Sequence, residues 1–430
     1  MIYDVLGIGF GPSNIALAIA LEENGNNETV KFIEKNTGPS WHENMLLNGA
    51  DIQNNPLRDL ITPVNPRSQY TFVNYLHVNK KFFLFLNTGL HYPLRKDFYD
   101  YVCWVANQFN NVDYGIEASH IHIEELDEGS IWVVETSSGH VYRGRRLVMG
   151  TGRKLNIPNI SGLADTTKAI HLTNYLPAIS ELDKSSKIAV LGASQSAVEI
   201  LLDLLNKGFD NIVSIHRSFS YRQKDTSPFS DEVYFPEFIN YYHALSVEKR
   251  ERLDHQVRQT NYSSADIDVI NNLNIRMYED NLDGNCRLKI IRNHEIIEAK
   301  ENDSLNLHIR DLYTSVDEEL DVDLLILATG FLDIGRNGRA GLPKIIEPLA
   351  PLFSWTDHYL EVKRDYRVRY SNKHIYPDLY LNGLCESSHG LGDAGSFSLV
   401  SLRAQEIARS ISKRMSDFPE SVTEHYQSIA

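Results

Sequence analysis

The 430-residue chain has the length of two or three domains, and its 42% hydrophobic content is enough for real cores. A formal net charge of −15 argues against nucleic acid as a general partner and against docking on an anionic membrane surface. Cys103, Cys286 and Cys385 stand far apart with no CxxC, which excludes a zinc ribbon or a redox dithiol and fits three unpaired thiols in a reducing cytosol. No apolar run approaches the roughly 20 residues of a membrane span. The strand pattern starting at Met1 leaves no room for a signal peptide, so the expected location is cytoplasmic.

Residues 1–14, MIYDVLGIGFGPSN, open with a short buried-strand pattern (Ile2, Tyr3, Val5, Leu6). Gly7 and Gly9 follow at GxGxxG-like spacing, with Gly11 added and Pro12 where a third glycine would sit. An apolar helical run then starts at Ile15. Strand, glycine turn and helix make a dinucleotide site, because glycines let the backbone approach a pyrophosphate and the helix N-terminus faces it with unpaired N–H groups. A second strand, Val30 to Ile33, ends at Glu34, where a carboxylate would take the ribose hydroxyls of an adenine nucleotide. The plain alternative is a glycine turn of any α/β protein. After Glu34 the chain is broken by Gly38, Pro39, Gly49, Pro56, Pro63 and Pro66, and this loop carries Trp41, His42, Met45, Gln53 and Arg58. Helices are expected near Tyr70 to Val78 and Arg95 to Gln108. Strands are expected near Ile121 to Leu126, Ser130 to Glu135 and Val141 to Val148, the last leading to Gly150-Thr151-Gly152 at a sheet's carboxyl edge.

A second nucleotide unit starts near Ser185. Lys187 to Leu191 reads as a buried strand, Gly192 to Ala197 as the turn, and Val198 to Leu205 as an apolar-faced helix. The next strand, Asn211 to Ile215, ends at His216-Arg217. A basic residue where the first unit has Glu34 suits a 2′-phosphate, hence NADPH rather than NADH; the plain alternative is a surface arginine. One acidic-ended and one basic-ended unit point to a flavoprotein fed by NADPH. Residues 226–275 are aromatic, charged and helical by period, as an insertion over the active site. Strands resume at Leu288 to Ile297, Leu305 to Ile309, Asp321 to Phe331 and Leu379 to Leu384. The segment CESSHGLGDAGSFS, Cys385 to Ser398, precedes a last helix, Leu399 to Met415. There Asp393 and the glycines, with Ser396 and Phe397, could reach a second face of a flavin. The expected fold is α/β. Two Rossmann-like domains, 1–165 with 326–430 for FAD and 166–226 with 276–325 for NADPH, carry a small helical substrate domain, 227–275.

Ordered motifs along nearly the whole chain resemble the N-hydroxylating flavin monooxygenases that act on ornithine or lysine in siderophore biosynthesis. They are GIGFGPSN (Gly7 to Asn14), Trp41-His42 with Met45-Leu46, and Gln53 with Leu57-Arg58-Asp59-Leu60. GASQSAVE (Gly192 to Glu199), Ser227-Pro228-Phe229 and Thr260-Asn261-Tyr262-Ser263 follow. DLLILATGF (Asp323 to Phe331) and His389-Gly390-Leu391 close the set, and Ile160 to Tyr175 resembles the linker between the two nucleotide units.

The resemblance implies that NADPH reduces FAD, that O2 forms a C4a-hydroperoxyflavin, and that a deprotonated primary amine takes the distal oxygen to become a hydroxylamine. The protein's task is then dryness, placement and hydrogen bonding; no metal is implied. By motif position the FAD contacts are Gly7, Gly9, Gly11, Pro12, Ser13, Asn14, Glu34, Trp41, His42, Met45, Gln53, Gly395, Ser396 and Phe397. The NADPH contacts are Gly192, Ser194, Gln195, Ser196, Arg217 and Asn261. Gln53 beside the flavin and Asn261 beside the reacting amine are the catalytic candidates, and Arg58, Asp231, Tyr234 and Ser398 the substrate candidates. A homotetramer or other homo-oligomer is implied too.

Two departures from the family pattern bear on the substrate: Arg58 replaces a usual lysine and Asp231 a usual asparagine. Asp231 would add a buried negative charge near a substrate carboxylate, costing roughly a few kcal/mol unless paired. Either Arg58 and Asp231 grip an α-carboxylate and an α-ammonium, or Asp231 binds the distal cation of a substrate without a carboxylate while Arg58 pairs elsewhere. The second is preferred, with putrescine, cadaverine or histamine as candidates, and Tyr234, Phe235 and Phe397 would suit an imidazole. If both changes are neutral, the substrate is ornithine or lysine. A flavin disulfide reductase lacks its cysteine pair here, sulfur- or ketone-oxidising flavin monooxygenases lack the Trp41-His42 and Thr260-Asn261-Tyr262 set, and a non-enzymatic dinucleotide sensor would show no NADPH-driven flavin reduction.

Overall fold

The computed structural model describes residues 1–25, 28–127, 129–335, 341–372, 374 and 376–412. Two five-stranded parallel sheets organise it. The first runs Leu379–Leu381, Leu147–Met149, Val5–Ile8, Val30–Glu34, Val112–Tyr114 in spatial order. The second runs Ala169–His171, Leu324–Leu327, Lys187–Leu191, Asn211–His216, Leu288–Arg292. In each, the strand before the glycine turn is central. That is why VLGI is buried at every position and KIAVL is buried at its three middle ones: both faces are covered, so the strands read as apolar runs rather than alternating patterns.

An antiparallel appendage accompanies each sheet. Ala118–Leu126, Gly129–Thr136 and Val141–Gly144 form the first, and His294–Glu301, Leu305–Asp311 and Asp317–Val322 the second. The expected strand Val141 to Val148 is therefore two: Val141–Gly144 stays in the appendage, and Leu147–Met149 turns into the parallel sheet beside Leu6–Ile8. Leu288 to Ile297 divides in the same way, at Asn293, which sits in the left-handed region (φ 59°). Asp321 to Phe331 divides into the end of Asp317–Val322, then Leu324–Leu327 and Phe331–Leu332.

Helices follow the sequence with shifted ends. Pro12–Glu23 starts on its proline, the favoured first helical position, and is buried from Asn14 to Leu21 because it lies between its sheet and the helix Val400–Ser412. Phe72–Val78 and Arg95–Ala106 stand where expected, and Gln195–Asn206 begins three residues earlier than Val198. Phe82–Thr88, which was not expected, has no buried residue. The last helix starts at Val400, and Met415 lies outside the described residues.

Two domain boundaries move. A cut at 326 would split Leu324–Leu327, which belongs wholly to the second sheet. The helical insertion holds Pro236–Ala244 and Val247–Val257. The next helix, Ile267–Leu282, passes residue 275 and packs Leu273 into the second unit's core beside Ala197 and Leu201. Among the described residues, no helix is long and apolar enough to cross a membrane and no group of three His, Cys, Asp or Glu is placed to hold a metal ion.

Candidate active site

A cavity of about 1050 Å³ opens at the carboxyl edge of the first sheet, at the upper end of the roughly 300–1,000 Å³ typical of small-molecule sites. One end is the glycine turn. Gly9 has φ +83°, and a Cβ there would lie 2.6 Å from the Gly150 carbonyl, so only glycine fits between the two turns. Gly11 is different: a Cβ on it would meet nothing within 4 Å, because it borders the cavity itself. Pro12 and Ser13 continue the lining at the helix start, and Glu34 stands beside the turn, its two oxygens accepting from Phe10 N (2.7 Å) and Asn36 N (2.9 Å).

Trp41 and His42 form a side wall with Phe397, the Trp41 and Phe397 rings meeting edge-on at 5.0 Å. The His42 ring is open to the cavity but surrounded by protein; burial, then Arg95 and Arg153, push its pKa down to about 4, so the imidazole is neutral at ordinary pH. Gly395 and Ser396 close the wall from the tail.

Gln53 and Asn261 enter from opposite halves. Gln53 belongs to the first unit's long loop and sits in the left-handed region (φ 52°), its N–H donating to Asp51 Oδ1 at 2.8 Å. Asn261 belongs to the loop ahead of Ile267–Leu282. Both line the cavity, and each holds a buried amide nitrogen: Asn261 Nδ2 makes no hydrogen bond, and Gln53 Nε2 makes none of good geometry but interacts with the Asp266 carboxylate, whose charge it favours. An orphaned buried donor costs about 1–3 kcal/mol, so side-chain amides short of partners in the wall of one cavity fit a ligand rich in acceptors. Together with the open cradle at Gly11 beside a helix start, they fit a group of FAD's size and chemistry.

At the far end stand the substrate candidates. Arg58 Nη1 donates to Asp231 Oδ2 at 3.2 Å and to Ser398 Oγ at 3.4 Å, and the guanidinium lies 5.8 Å from the centre of the Tyr234 ring. The loop carrying Arg58 is held by Asp59, fully buried, which accepts from the backbone N–H groups of Ile61, Thr62 and Phe72. Ser398 Oγ donates to Asn54 Oδ1. Neither partner of the ion pair is deeply buried, with side-chain exposures of 29% and 39%.

Several expected site residues have other work. Gly7 is a packing glycine: a Cβ there would fall 2.2 Å from the Phe32 ring. Asn14 is fully buried and ties the turn together, donating to Gly9 O (2.7 Å) and accepting from Asn382. Met45 is buried in the second unit's core. Asp393 does not reach the cavity, since Arg403 and the Cys385 N–H hold its carboxylate at zero exposure. Phe235 is an exposed ring outside the cavity lining. Arg58 is not paired away from Asp231, and Asp231 is not an unpaired buried charge; they pair with each other.

Gly192, Ser194, Gln195, Ser196 and Arg217 lie outside this cavity, along the second unit's own turn and strand end. Gln195 is held by its own chain: its N–H donates to Ser264 O, its Oε1 accepts from Asp266 N, and its Nε2 donates to Glu199. Arg217 is exposed at the end of Asn211–His216.

Sequence reasoning missed Arg153, Glu386 and Arg403 and left Tyr262 without a role. Arg153 Nη1 donates to Tyr262 OH (2.7 Å), which donates to Glu386 Oε2 (2.8 Å). Burial alone would lower Arg153, but Tyr262 and Glu386 more than offset it. Arg403, 2% exposed, donates to Ser13 Oγ and Asn382 Oδ1 behind the helix start. Arg153 follows the expected Gly150-Thr151-Gly152 turn, the one signal that could have found it.

Residues 1–333 match the family model described as L-lysine 6-monooxygenase/L-ornithine 5-monooxygenase. The chain belongs to that family. It is 32% identical over 434 residues to an L-ornithine N(5)-monooxygenase of Pseudomonas aeruginosa, covering 96% of this chain and 94% of that one. The solved ornithine N-hydroxylase of Kutzneria sp. 744, described with reduced FAD, NADP+ and L-ornithine, superposes with a TM-score of 0.88 at 29% identity over 96% of this chain and 99% of its own. A FAD-bound cadaverine monooxygenase of Erwinia amylovora superposes with a TM-score of 0.84 over 98% and 99%, and at 23% identity that likeness shows the shared fold. The protein is an N-monooxygenase built on two Rossmann-like nucleotide units.

Proposed function

We propose that this monooxygenase uses FAD, NADPH and O2 to convert a primary amine without a carboxylate into its hydroxylamine, for siderophore assembly. When bound, reduced FAD supplies the activated oxygen. The chain supplies the rest. Gly9, Gly11 and Ser13 would receive the pyrophosphate at the helix start. The Gln53 and Asn261 amides would hold acceptor atoms of the coenzymes and orient the amine. The Gln53 and Asn261 amides, with Trp41 and Phe397, would surround the amine with neutral groups and favour the uncharged form the chemistry needs.

The observation that carries the substrate class is the Arg58–Asp231 ion pair at the cavity's far end. An α-amino acid needs a cation free for its carboxylate. Here the guanidinium is already neutralised, and a second carboxylate would have to displace Asp231 or sit beside it. A distal ammonium or imidazolium would meet the Arg58 guanidinium as well, but it could take the Asp231 oxygen that Arg58 does not use, with Tyr234 and Ser398 alongside. Putrescine, cadaverine and histamine meet this description.

L-Ornithine or L-lysine is the competing reading. The identity to an L-ornithine monooxygenase favours it, and Arg58 could grip a carboxylate if Asp231 turned to the α-ammonium. Hydroxylamine formation across ornithine, lysine, putrescine, cadaverine and histamine decides between them. We expect kcat/KM for the best decarboxylated amine to exceed that for either amino acid at least tenfold, and Asp231→Asn to erode that preference. A parent enzyme preferring ornithine or lysine, or an Asp231→Asn variant with unchanged preference, overturns the substrate reading.

A further inference from the structure

The GASQSAVE motif contributes one residue that the turn does not need. Glu199 lies a full helical turn inside Gln195–Asn206, with its side chain 4% exposed, and it is not at the cavity. Its Oε1 accepts from Arg95 Nη2 and from Gln195 Nε2, both at 2.9 Å.

Arg95 comes from the other half of the molecule, at the first position of Arg95–Ala106. Its guanidinium, 13% exposed, ties three segments together: Met45 O (3.0 Å), Asp51 O (3.2 Å) and Glu199. The backbone beside it is locked as well, with Arg95 N donating to Ala50 O and Ile52 N to Pro93 O. From Asp51 it is one bond to Gln53, whose N–H rests on the Asp51 carboxylate and whose left-handed backbone needs such support.

The path continues on the far side of Glu199. Gln195 accepts from Asp266 N at 2.8 Å through Oε1 and donates its own N–H to Ser264 O at 3.0 Å. Ser264 Oγ donates to Gln259 O and Tyr262 O, closing the loop that bears Asn261. An unbroken series of bonds thus runs from Gln53 through Asp51, Arg95, Glu199 and Gln195 to the Asn261 loop. Gln53 and Asn261 are the two cavity-lining residues that carry the catalytic expectation.

We propose that Arg95, Glu199 and Gln195 form a positioning bridge that sets the spacing between Gln53 and Asn261, and hence between the flavin-side and amine-side contacts of the reaction. None of the three touches substrate. A planar guanidinium suits the task because its donors are held in a rigid, spread-out fork that reaches acceptors on three segments, whereas the three donors of a lysine sit on one freely rotating nitrogen. Burial makes the bridge stiff, since each partner left alone would be an uncompensated charge. The consequence is chemical: a small misplacement of the reacting groups costs far more in rate than in binding.

Hydrogen exchange in the apoprotein, read by mass spectrometry, tests the bridge without relying on activity. Glu199→Leu should raise exchange at least tenfold in segments 51–54 and 261–266 while leaving the Val5–Ile8 strand as in the parent. Glu199→Gln, which keeps the accepting oxygen but leaves Arg95 without its counter-charge, should give a rise between those of the parent and Glu199→Leu. In the FAD-loaded enzyme, Glu199→Leu should keep FAD content and NADPH KM within threefold while hydroxylamine formed per NADPH oxidised falls at least fivefold. If Glu199→Leu does not fold, the same readings on Arg95→Lys replace it, with the same expected direction. Unchanged exchange in both segments, a uniform rise that includes Val5–Ile8, or full coupling in a variant with loosened segments overturns the proposal.

Discussion

The two nucleotide units share a plan and differ in how their turns are used. In the first, the turn is open: Gly11 borders the cavity, and the turn is secured from behind by Asn14, Asn382 and Arg403. In the second, the partly exposed turn is tied at its start to its own chain. Gly192 has φ +140° with the Ala328 carbonyl 2.5 Å from where a Cβ would stand, and the first amide of the helix goes to Ser264. One motif can therefore give a glycine to a cavity or to a close backbone crossing, and neighbours distant in sequence decide which.

The largest expected effect separates these roles directly. Gly192→Ala should fail as a fold: it adds strain of about 1–3 kcal/mol to a direct clash with backbone that cannot move aside. We expect little or no soluble protein. Gly11→Val should do the reverse. Its backbone is already extended (φ −84°, ψ −173°) and its side chain would enter the cavity, so the apoprotein should melt within about 2 °C of the parent while FAD content falls at least tenfold. A Gly11→Val protein that binds FAD normally would break the comparison, because the first turn would then not be the cradle.

How much of this was legible in the chain depended on range. Both strand–turn–helix units could be read because buried parallel strands and glycine turns are local patterns. The divided strands were harder: Gly144-Arg145-Arg146 interrupts Val141 to Met149, but so short a break does not show that Val141–Gly144 and Leu147–Met149 join different sheets. Gln53 and Asn261 were reachable through motif resemblance and stand at the cavity. The supporting residues were not: Arg153 and Tyr262 lie 109 positions apart, Tyr262 and Glu386 124, and Ser13 and Arg403 390. The same blindness affects Met45 and Gln195. Each sits inside a recognisable motif, yet tertiary packing assigns the first to a core and the second to a joint. It also affects Arg58 and Asp231, whose 173-residue separation hid that they neutralise each other.

A middle-sized effect tests what the second unit keeps for a ligand. Its exposed strand-end arginine, Arg217, is the basic counterpart of Glu34. If it receives the 2′-phosphate, Arg217→Ala should raise KM for NADPH about tenfold or more, the scale of one charge-assisted contact, and leave KM for NADH unchanged. Steady-state flavin reduction with each nucleotide measures this. Equal changes with both nucleotides would show that the basic end of the second unit is a surface charge.

The smallest expected effect lies where the units meet. Burial pushes the Asp51 carboxyl up to about 6; the Gln53 N–H bond pulls the other way, and Asp266 and Glu199 add to the rise. The sign follows from linkage. An acid whose folded pKa is raised is held more tightly as its protonated form in the native state, so its contribution favours folding at low pH and is lost as pH climbs from about 4 through about 6. Asp51→Asn keeps the oxygen that accepts from Gln53 N and removes the titration. The variant should therefore match the parent near pH 4.5 and exceed it by at most about 2 kcal/mol at pH 7.5, visible as a melting temperature about 1–3 °C higher. A parent and variant whose melting temperatures stay parallel from pH 4.5 to 7.5 would mean that Asp51 is solvated rather than enclosed. The seam between the two units would then be wet, and a dry cavity could not be sealed from that side.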